Sequence, residues 1–513
     1  SGASGVTHPL ISESVTQFQA QAYKEMLPAG GPVRTTVVGA ENPEVMAQAK
    51  RVKDFMNYYV TEVMEEYDPD MDQMLFYLPL AGSTFKKVYF DITRRRAVSK
   101  FVPAEDLVVN YSATDIRTAE RITHVVEMSD NDIVKMQMST VYREVDLSKN
   151  YSNEENEVTE KMNEISGLRP PSDDDMYTLY EVHTYLDLPG FEDKDSEDQP
   201  TGLKLPYVVT IDKNSGEILA ISRNWEEEDL QQKPLQHFVH YKFLPGFGFY
   251  GFGLIHMIGG LSRAATSILR QLIDAGTLSN LPAGFKSRGT RIKNDDEPIQ
   301  PGEFRDIDAP GGDVRGSFLP LPYKEPSGTL AQLLGVVVDS GRAYAAIADN
   351  KIGDVNSQAP VGTTVALLER GSRVMSAIHK RMHYAQKQEF RLLSAIISDT
   401  VEEYPYALDV PGQILPQDFD GRVDILPVSD PNIFSMAQRM SLAQTQLQLA
   451  QSNPEVHNLR EAYRRMYEAL EVKNIDAILM PEPQPMPLDP ASEHAYLLKG
   501  EKIQAFPGQN HDA

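Results

Sequence analysis

The chain has no cysteine among its 513 residues. Disulfides, thiolate metal sites and a cysteine nucleophile are therefore excluded, and the composition is compatible with a reducing compartment. The sequence also has no apolar run near the roughly 18 residues that a membrane-spanning helix needs. We therefore expect no membrane-spanning role. The opening SGASGVTHPL has neither an initiator Met nor a secretory pattern, so the true start of the protein is expected upstream.

Positive charge is scarce. The chain has 49 Lys and Arg against 74 Asp and Glu, a formal net charge of −25. Most of such a surface repels phosphate, which disfavours a general nucleic-acid binder but not a protein that DNA must pass without sticking. The length allows about three domains and a large core.

Catalytic signatures are also missing. The sequence contains no phosphate-loop, nucleophile-elbow or kinase motif. His379 and His383 stand four residues apart in HKRMH, a spacing that suits a metal, but the glutamate of H-E-x-x-H is absent, so a surface or packing role is favoured. We expect no catalytic residues, no metal, no cofactor and no enzymatic activity.

A second metal-like pattern fails in the same way. Asp68, Asp70 and Asp72 imitate the opening of a calcium-binding loop. Gln73 occupies the position of the required glycine, and Pro79 that of the bidentate glutamate. The sequence therefore predicts no calcium site there.

The stretch PGFGFYGFG (245–253) contains a G-x-G-x-x-G at Gly246, Gly248 and Gly251, between the strand-like HFVHYKF and an apolar helix. This fingerprint binds a dinucleotide only inside a repeating β-α-β unit. Here a Gly- and Pro-rich insertion follows the helix, so the glycines favour a bend into that helix. A nucleotide-binding enzyme that uses residues 246–251 is kept as the alternative.

Hydrophobic periodicity predicts a mixture of helices and separate strands, an α+β fold. The predicted helices are 42–67, 254–273, 328–350, 363–403 with Gly371 as a candidate kink, 434–451, one starting at Ser129 and one capped by Asn453 and Pro454. The predicted strands are 85–91, 97–103, 120–128, 177–188, 205–212, 217–225, 237–243 and 423–428.

Two basic clusters stand out in this acidic chain. Their members are Arg370, Arg373, Lys380, Arg381, Lys387 and Arg391 in the first, and Lys286, Arg288, Arg291 and Lys293 in the second. A solvated face or ion pairs between subunits is the favoured interpretation. Contact with a passing phosphate backbone or an acidic partner is the other.

Three stretches carry a resemblance to a known family. They are LISESVTQFQAQAYKEMLP (10–28), YGFGLIHMIGGLSRAATSILRQLIDAGTLSNLPAGF (250–285) and the run from LAQLLGVVVDSGRAYAAIADN to MHYAQKQEF (330–390). In the residues of these stretches and in their order along the chain, the protein resembles the portal, or head-to-tail connector, proteins of tailed bacteriophages, podovirus type.

The resemblance implies a portal fold with a mixed wing domain, a two-helix stem, a small β-containing clip, a long kinked helix and a helical crown. The implied regions are wing 1–250, stem helix 251–279, clip 280–327, second stem helix 328–350, tunnel loop 351–361, kinked wing helix 362–405, wing strands 406–430, crown 431–480 and extended C-terminal tail 481–513.

The same resemblance implies a homo-oligomeric ring, usually of twelve copies, at one capsid vertex of the virion, assembled in the host cytoplasm. Double-stranded DNA would pass through it, and its other partners would be terminase, then tail adaptor proteins, and the major capsid protein. Another phage structural component, such as a tail or scaffolding protein, is a further alternative.

Site residues follow from the same resemblance. The tunnel loop would present Lys351, Asp354, Asn356, Ser357 and Gln358. Candidate DNA or channel contacts are Arg263, Arg270, Arg342, Lys380 and Arg381. The clip would dock terminase and adaptors through Lys286, Arg288, Arg291 and Lys293.

Overall fold

The structure is a computed structural model. It describes residues 4–28, 30–40, 42–145, 147, 165, 167, 176–194, 197, 199–280, 284–286, 288, 291–292, 306–308, 314–316, 318–321, 325–345, 361–400, 414, 416–428, 436–470, 472, 475–479 and 498. The chain divides into two compact units, Ser1–Asn432 and Ile433–Ala513.

Three helices open the first unit. Helix α1 spans Leu10–Met26, α2 spans Pro43–Tyr58 and continues as a π-helical turn over Tyr59–Val63, and α3 spans Tyr67–Ala81. The predicted helix 42–67 is therefore right at its start, with Pro43 in the first turn, but wrong at its end. Met64 leaves the helical region at φ −93° and ψ 71°, and a new helix follows.

The first unit contains two larger antiparallel sheets, one of three and one of five strands. The three-stranded sheet has the order β3-β2-β9, with β2 at Ser83–Asp91, β3 at Arg96–Pro103 and β9 at Phe238–Lys242. The five-stranded sheet runs in chain order through β4 (Leu107–Val109), β5 (Arg121–Ser129), β6 (Met176–Leu186), β7 (Leu205–Asp212) and β8 (Ile218–Arg223). The predicted hairpin and strands are confirmed, apart from the short β4, which the sequence did not indicate.

Turn and cap chemistry explains two of these connections. Helix α4, Asp130–Met138, begins after Ser129, whose Oγ accepts a hydrogen bond from the Asp132 N–H. The turn between β7 and β8 places Gly216 at φ +71°, a conformation that favours glycine.

A late segment completes the first unit. Strand β1, Val33–Val37, pairs antiparallel with β14, Val423–Pro427, so that Thr35 lies opposite Ile425. The long helix α7, Val361–Thr400, contacts all three strands of the β3-β2-β9 sheet and also β14. It is one continuous helix; the kink at Gly371 stays a prediction.

A helical hairpin interrupts this arrangement. Helix α5 spans Leu254–Asn280, beyond the predicted end at Ile273, and α6 spans Gly328–Ala345. The described part between them contains two antiparallel strand pairs, β10 (Gly284–Lys286) with β13 (Phe318–Pro320) and β11 (Arg291–Ile292) with β12 (Ile307–Asp308). The predicted insertion therefore contains β-structure.

The second unit is helical in its described part. Helix α8 spans Met436–Ser452, α9 spans Leu459–Ala469 and α10 spans Ile475–Ile478. Helix α9 is capped by Asn458, whose side chain accepts from the Glu461 N–H; the sequence had placed this cap at Asn453. Helices and separate antiparallel sheets together agree with the predicted α+β class. Among the described helices none is long and apolar enough to cross a membrane.

Candidate functional site

The glycines before α5 mark a close crossing of two backbones. A Cβ added at Gly253 would lie 2.3 Å from the Leu80 carbonyl oxygen, and one at Gly251 would lie 2.5 Å from that of Gly82. Gly82 itself ends α3 at φ +91°, and a Cβ added there would lie 2.3 Å from the Gly253 amide nitrogen. Only residues without a side chain fit at this crossing.

The same geometry contradicts a dinucleotide site. Strand β9 before the glycines pairs antiparallel with β2, so there is no parallel β-α-β unit to present a pyrophosphate to the helix. Phe249 stacks on Phe85 with ring centroids 5.9 Å apart, and the Tyr250 hydroxyl donates to the Leu107 carbonyl at 2.7 Å. The glycine-rich stretch is thus a packed junction between the β3-β2-β9 sheet and α5.

The hairpin that follows has one buried side. Helix α5 is about 40 Å long for its 27 residues. Its buried residues are Leu254, Ile258, Ser262, Ala265 and Ile268, which recur at helical spacing. Helices α1 and α6 pack on α5, and a Cβ at Gly341 of α6 would lie 2.5 Å from a methyl of the fully buried Leu10.

Apolar side chains remain exposed on the rest of the hairpin. On α6, Val336 is 61% exposed and Leu333 is 46% exposed. Helix α5 likewise exposes Ile255, Ile273 and Leu278. Leu333 and Val336 are three residues apart and so are neighbours on α6, and exposed apolar patches on a folded chain are typical of protein interaction sites.

The five candidate DNA contacts differ in their surroundings. Three bind groups of the chain itself: Arg270 donates to the Val6 carbonyl at 2.7 Å, Arg342 pairs with Glu13 at 3.2 Å, and Arg381 donates to the Phe243 carbonyl at 2.7 Å. Burial lowers the pKa of the Arg381 guanidinium. Arg263 and Lys380 are exposed, without a hydrogen-bond partner within the described part of the chain.

The other predicted site residues are only partly described. Lys286 lies on β10 and Arg291 on β11, and Arg288 lies in an exposed turn between them. Lys293 lies outside the described residues. So do all five tunnel-loop residues, Lys351, Asp354, Asn356, Ser357 and Gln358.

The two metal-like patterns have structural roles. His379 is buried, its ring lies edge-on to Phe18, and burial lowers its pKa to about 4. Asp68 accepts a hydrogen bond from the Tyr23 hydroxyl, and Asp70 accepts the Phe101 N–H at 2.9 Å. No group of three His, Asp or Glu that could hold a metal occurs within the described ranges.

A buried polar cluster lies beneath α7, and no local sequence pattern predicts it. Glu389 of α7 accepts hydrogen bonds from the Ser99 hydroxyl of β3 at 2.6 Å and from the Tyr241 hydroxyl of β9. Lys86 of β2 is also fully buried, with its ammonium 4.8 Å from the centre of the Tyr67 ring. Burial lowers the pKa of Lys86, while Glu389 opposes that change.

A second polar cluster joins the two sheets. Lys87 of β2 pairs with Glu181 of β6 at 2.6 Å, and His183 Nε2 lies 2.8 Å from the other oxygen of the same carboxylate. Burial alone would raise the pKa of Glu181, but Lys87 and His183 hold it well below its usual value. The cluster lies in a cleft of about 880 Å³ between the sheets.

Two further histidines line this cleft. Burial, with Lys87 nearby, lowers the pKa of His124 to about 3. Burial, with His183 and Lys87 nearby, lowers that of His237 to about 4. Both imidazoles are therefore neutral at neutral pH.

A family model described as "Phage SU10 portal protein" matches residues 17–336. The matched part contains both sheets, the glycine crossing, helix α5 and the first half of α6. No curated protein matches the chain.

Proposed function

The chain belongs to the phage SU10 portal protein family, and from this premise we propose that it forms a closed ring, of twelve copies, at one vertex of the capsid. The ring is the channel for double-stranded DNA during packaging and ejection. It is also the platform on which terminase docks first and tail adaptor proteins dock later. The role is structural, without catalysis by this chain.

The exposed apolar flank of the hairpin carries this proposal. Leu333 and Val336 are neighbours on α6, and Val336 lies about 140–160° around the helix from the buried Gly341 and Val338. A single chain leaves these side chains in water, although burial is favoured by about 25 cal/mol per Å² of apolar surface. In a ring, each copy uses two different surfaces against its neighbours, so such a flank is covered without a twofold axis.

Charge supports passage of DNA over tight binding of DNA. Twelve copies at −25 each carry about −300 in total. A channel that gained affinity from many phosphate contacts would hold DNA and slow its movement. Scattered cations such as Arg263 and Lys380 suit weak contacts with a moving phosphate backbone.

We also propose the wing, stem, clip, tunnel loop and crown that the resemblance implies, and one observation supports the wing. The pairing of β1 with β14 supports a wing that combines residues 1–250 with 406–430. Helices α5 and α6 are the proposed stem and the strands between them the proposed clip. Residues 351–361 are the proposed tunnel loop, and 431–480 the proposed crown.

Native mass spectrometry and electron microscopy of the purified chain test the ring. We expect closed rings with a central channel. Val336→Glu should break the rings into smaller species, because a carboxylate would be buried at the subunit contact without a partner. Val336→Ala, which keeps an apolar side chain at this position, is the matched control and should still form rings. A wild-type chain that stays monomeric at micromolar concentration contradicts the proposal.

A further inference from the structure

The six residues before α1 lie extended along α5. We call residues 4–9 the arm and name Thr266, Arg270 and Asp274 of α5 the seat. The arm is held by hydrogen bonds from the Ser4 N–H to Asp274 Oδ1 at 2.8 Å, from the His8 N–H to Thr266 Oγ1 at 3.0 Å, and from Arg270 Nε to the Val6 carbonyl at 2.7 Å.

The seat binds the backbone of the arm. All three bonds use main-chain groups of the arm, and Gly5, Val6, Thr7 and Pro9 are exposed. Recognition therefore depends on an extended main chain whose N–H and C=O groups meet side chains spaced by four residues along one face of a helix. The arm of another copy offers the same groups in the same order.

The arm is joined to a fixed helix at a simple junction. Helix α1 is anchored by Leu10, which is fully buried and packs on Gly341 of α6. Pro9 immediately before it is exposed and makes no side-chain cap to the helix. Since the ring of Pro9 fixes its φ, a change of its ψ moves the arm without disturbing buried side chains.

The seat also faces away from the body of its own chain. At about 100° per residue, its centre lies roughly 140° around α5 from the buried stripe. Six extended residues reach about 20 Å. Packed helices lie about 8–10 Å apart, so an arm hinged at Pro9 reaches a helix beside its own.

We propose that the arm is exchanged in the assembled protein, so that the arm of each copy occupies the seat on α5 of the neighbouring copy. The inference rests on the proposed ring. Exchange uses the same hydrogen bonds as the contact within one chain and turns them into a link between copies, as in domain swapping. Because assembly holds the arm close to the next seat, the link forms at high effective concentration.

The absence of cysteine allows a direct test. Three proteins are prepared: the double variant His8→Cys/Thr266→Cys, and each single variant alone. The two single variants are mixed as dissociated subunits, reassembled and oxidised. Native mass spectrometry records the rings, and non-reducing electrophoresis with peptide mapping records the disulfides. Ser4→Cys with Asp274→Cys is a second pair, in case the first perturbs folding.

Exchange predicts a two-chain product that joins position 8 of one variant to position 266 of the other, which neither single variant forms alone. If intact rings form and the double variant gives only a disulfide within one chain, exchange is wrong while the ring stands. Intact rings that form no disulfide in either preparation also overturn it, because the arm would then have left the seat. If the wild-type chain forms no rings under the same conditions, the proposed function itself falls.

Discussion

The Ser99 hydroxyl on β3 and the Glu389 carboxylate on α7 lie 2.6 Å apart in the interior of the first unit. Since Tyr241 on β9 donates to the same carboxylate and Lys86 on β2 lies nearby, one helix residue is coupled to all three strands of the β3-β2-β9 sheet. This cluster fixes the position of α7 on the sheet.

Glu389→Gln should destabilise the protein strongly. The amide keeps the size of the side chain but removes the charge that accepts hydrogen bonds from Ser99 and Tyr241 and that favours the charged form of Lys86; a hydrogen bond to a charged group typically contributes about 1.5–3 kcal/mol. Denaturant unfolding followed by circular dichroism measures the loss. The double variant Lys86→Met/Glu389→Gln should recover part of it, because no buried charge then remains. Equal or greater loss in the double variant would show that Lys86 and Glu389 are not coupled.

Two glycines of the same short stretch should respond in opposite ways. Gly253→Ala places a Cβ 2.3 Å from the Leu80 carbonyl oxygen, so the backbone crossing must open and the protein should lose about 2–4 kcal/mol. Gly248→Ala meets no atom within 4 Å and should change stability by less than about 0.5 kcal/mol. Thermal unfolding of both variants decides the matter; similar midpoints would refute the crossing.

Acid should destabilise the first unit through the buried histidines. The pKa values of His124 and His237 are lowered to about 3 and about 4, whereas an unfolded imidazole titrates near about 6.5. The unfolded state therefore binds more protons in this range. Stability is fully present above about pH 6.5 and falls as the pH drops towards 4, by up to about 1.4 kcal/mol per pH unit for each histidine.

A single variant isolates this pH dependence. His124→Phe should flatten the fall in unfolding free energy between pH 6.5 and 4.5, since the ring still packs beside Phe238 but no longer titrates. The charged and titratable groups around it are Lys87, Lys100, Glu181 and His183. His457→Gln, at an exposed position in the second unit, is the control. An unchanged slope in the His124 variant would assign the acid sensitivity to other groups.

The packing of β14 and the segment before it against the first part of the chain should depend on Asp418. Its carboxylate binds Arg51 of α2 at 2.6 Å and is mostly buried. Asp418→Ala should cost about 1.5–3 kcal/mol, the usual range for hydrogen bonds to charged groups, and should speed amide exchange in β1 and β14. Glu217→Ala removes the exposed pair with Arg143 and should cost no more than about 1 kcal/mol. An unchanged rate of amide exchange in β14 would show that Asp418 does not hold β14 in place.

The weak-contact interpretation of DNA passage is also measurable. Arg263→Gln/Lys380→Gln should reduce residual binding of double-stranded DNA and lower its salt dependence, by about one unit of slope for each cation that no longer meets a phosphate. Arg143→Gln, at an exposed position in the segment after α4, is the control. Fluorescence anisotropy over a range of NaCl concentrations reports both quantities. A slope unchanged in the double variant would exclude these two cations as contacts.

Elements with a strong local pattern could be predicted from sequence. Helices α5 and α7 and the β2–β3 hairpin carry clear periodicity or turn signals over many residues. Helix α3 was missed because its first turn is rich in aspartate and it contains Pro79. Strand β1 was missed because VRTTV is short and polar, and its partner is distant in the chain.

The buried charges were beyond a pattern-based reading for a physical reason. Alternation along a strand assigns one face to solvent, but β2 is the central strand of its sheet and both Phe85 and Lys86 are fully buried. Local charge also gives no indication that Arg270 and Arg342 bind groups of the chain itself. Their partners, in the arm and in α1, lie more than two hundred residues earlier in the sequence.

The pairing of Thr35 with Ile425 sets an order for biosynthesis. At roughly 5–20 residues per second, a ribosome makes the second strand about 20–80 s after the first. During that interval β1 of the nascent chain has no partner strand, while helices α5, α6 and α7 are synthesised. Copies whose synthesis stops early lack β14 and leave the pairing edge of β1 exposed.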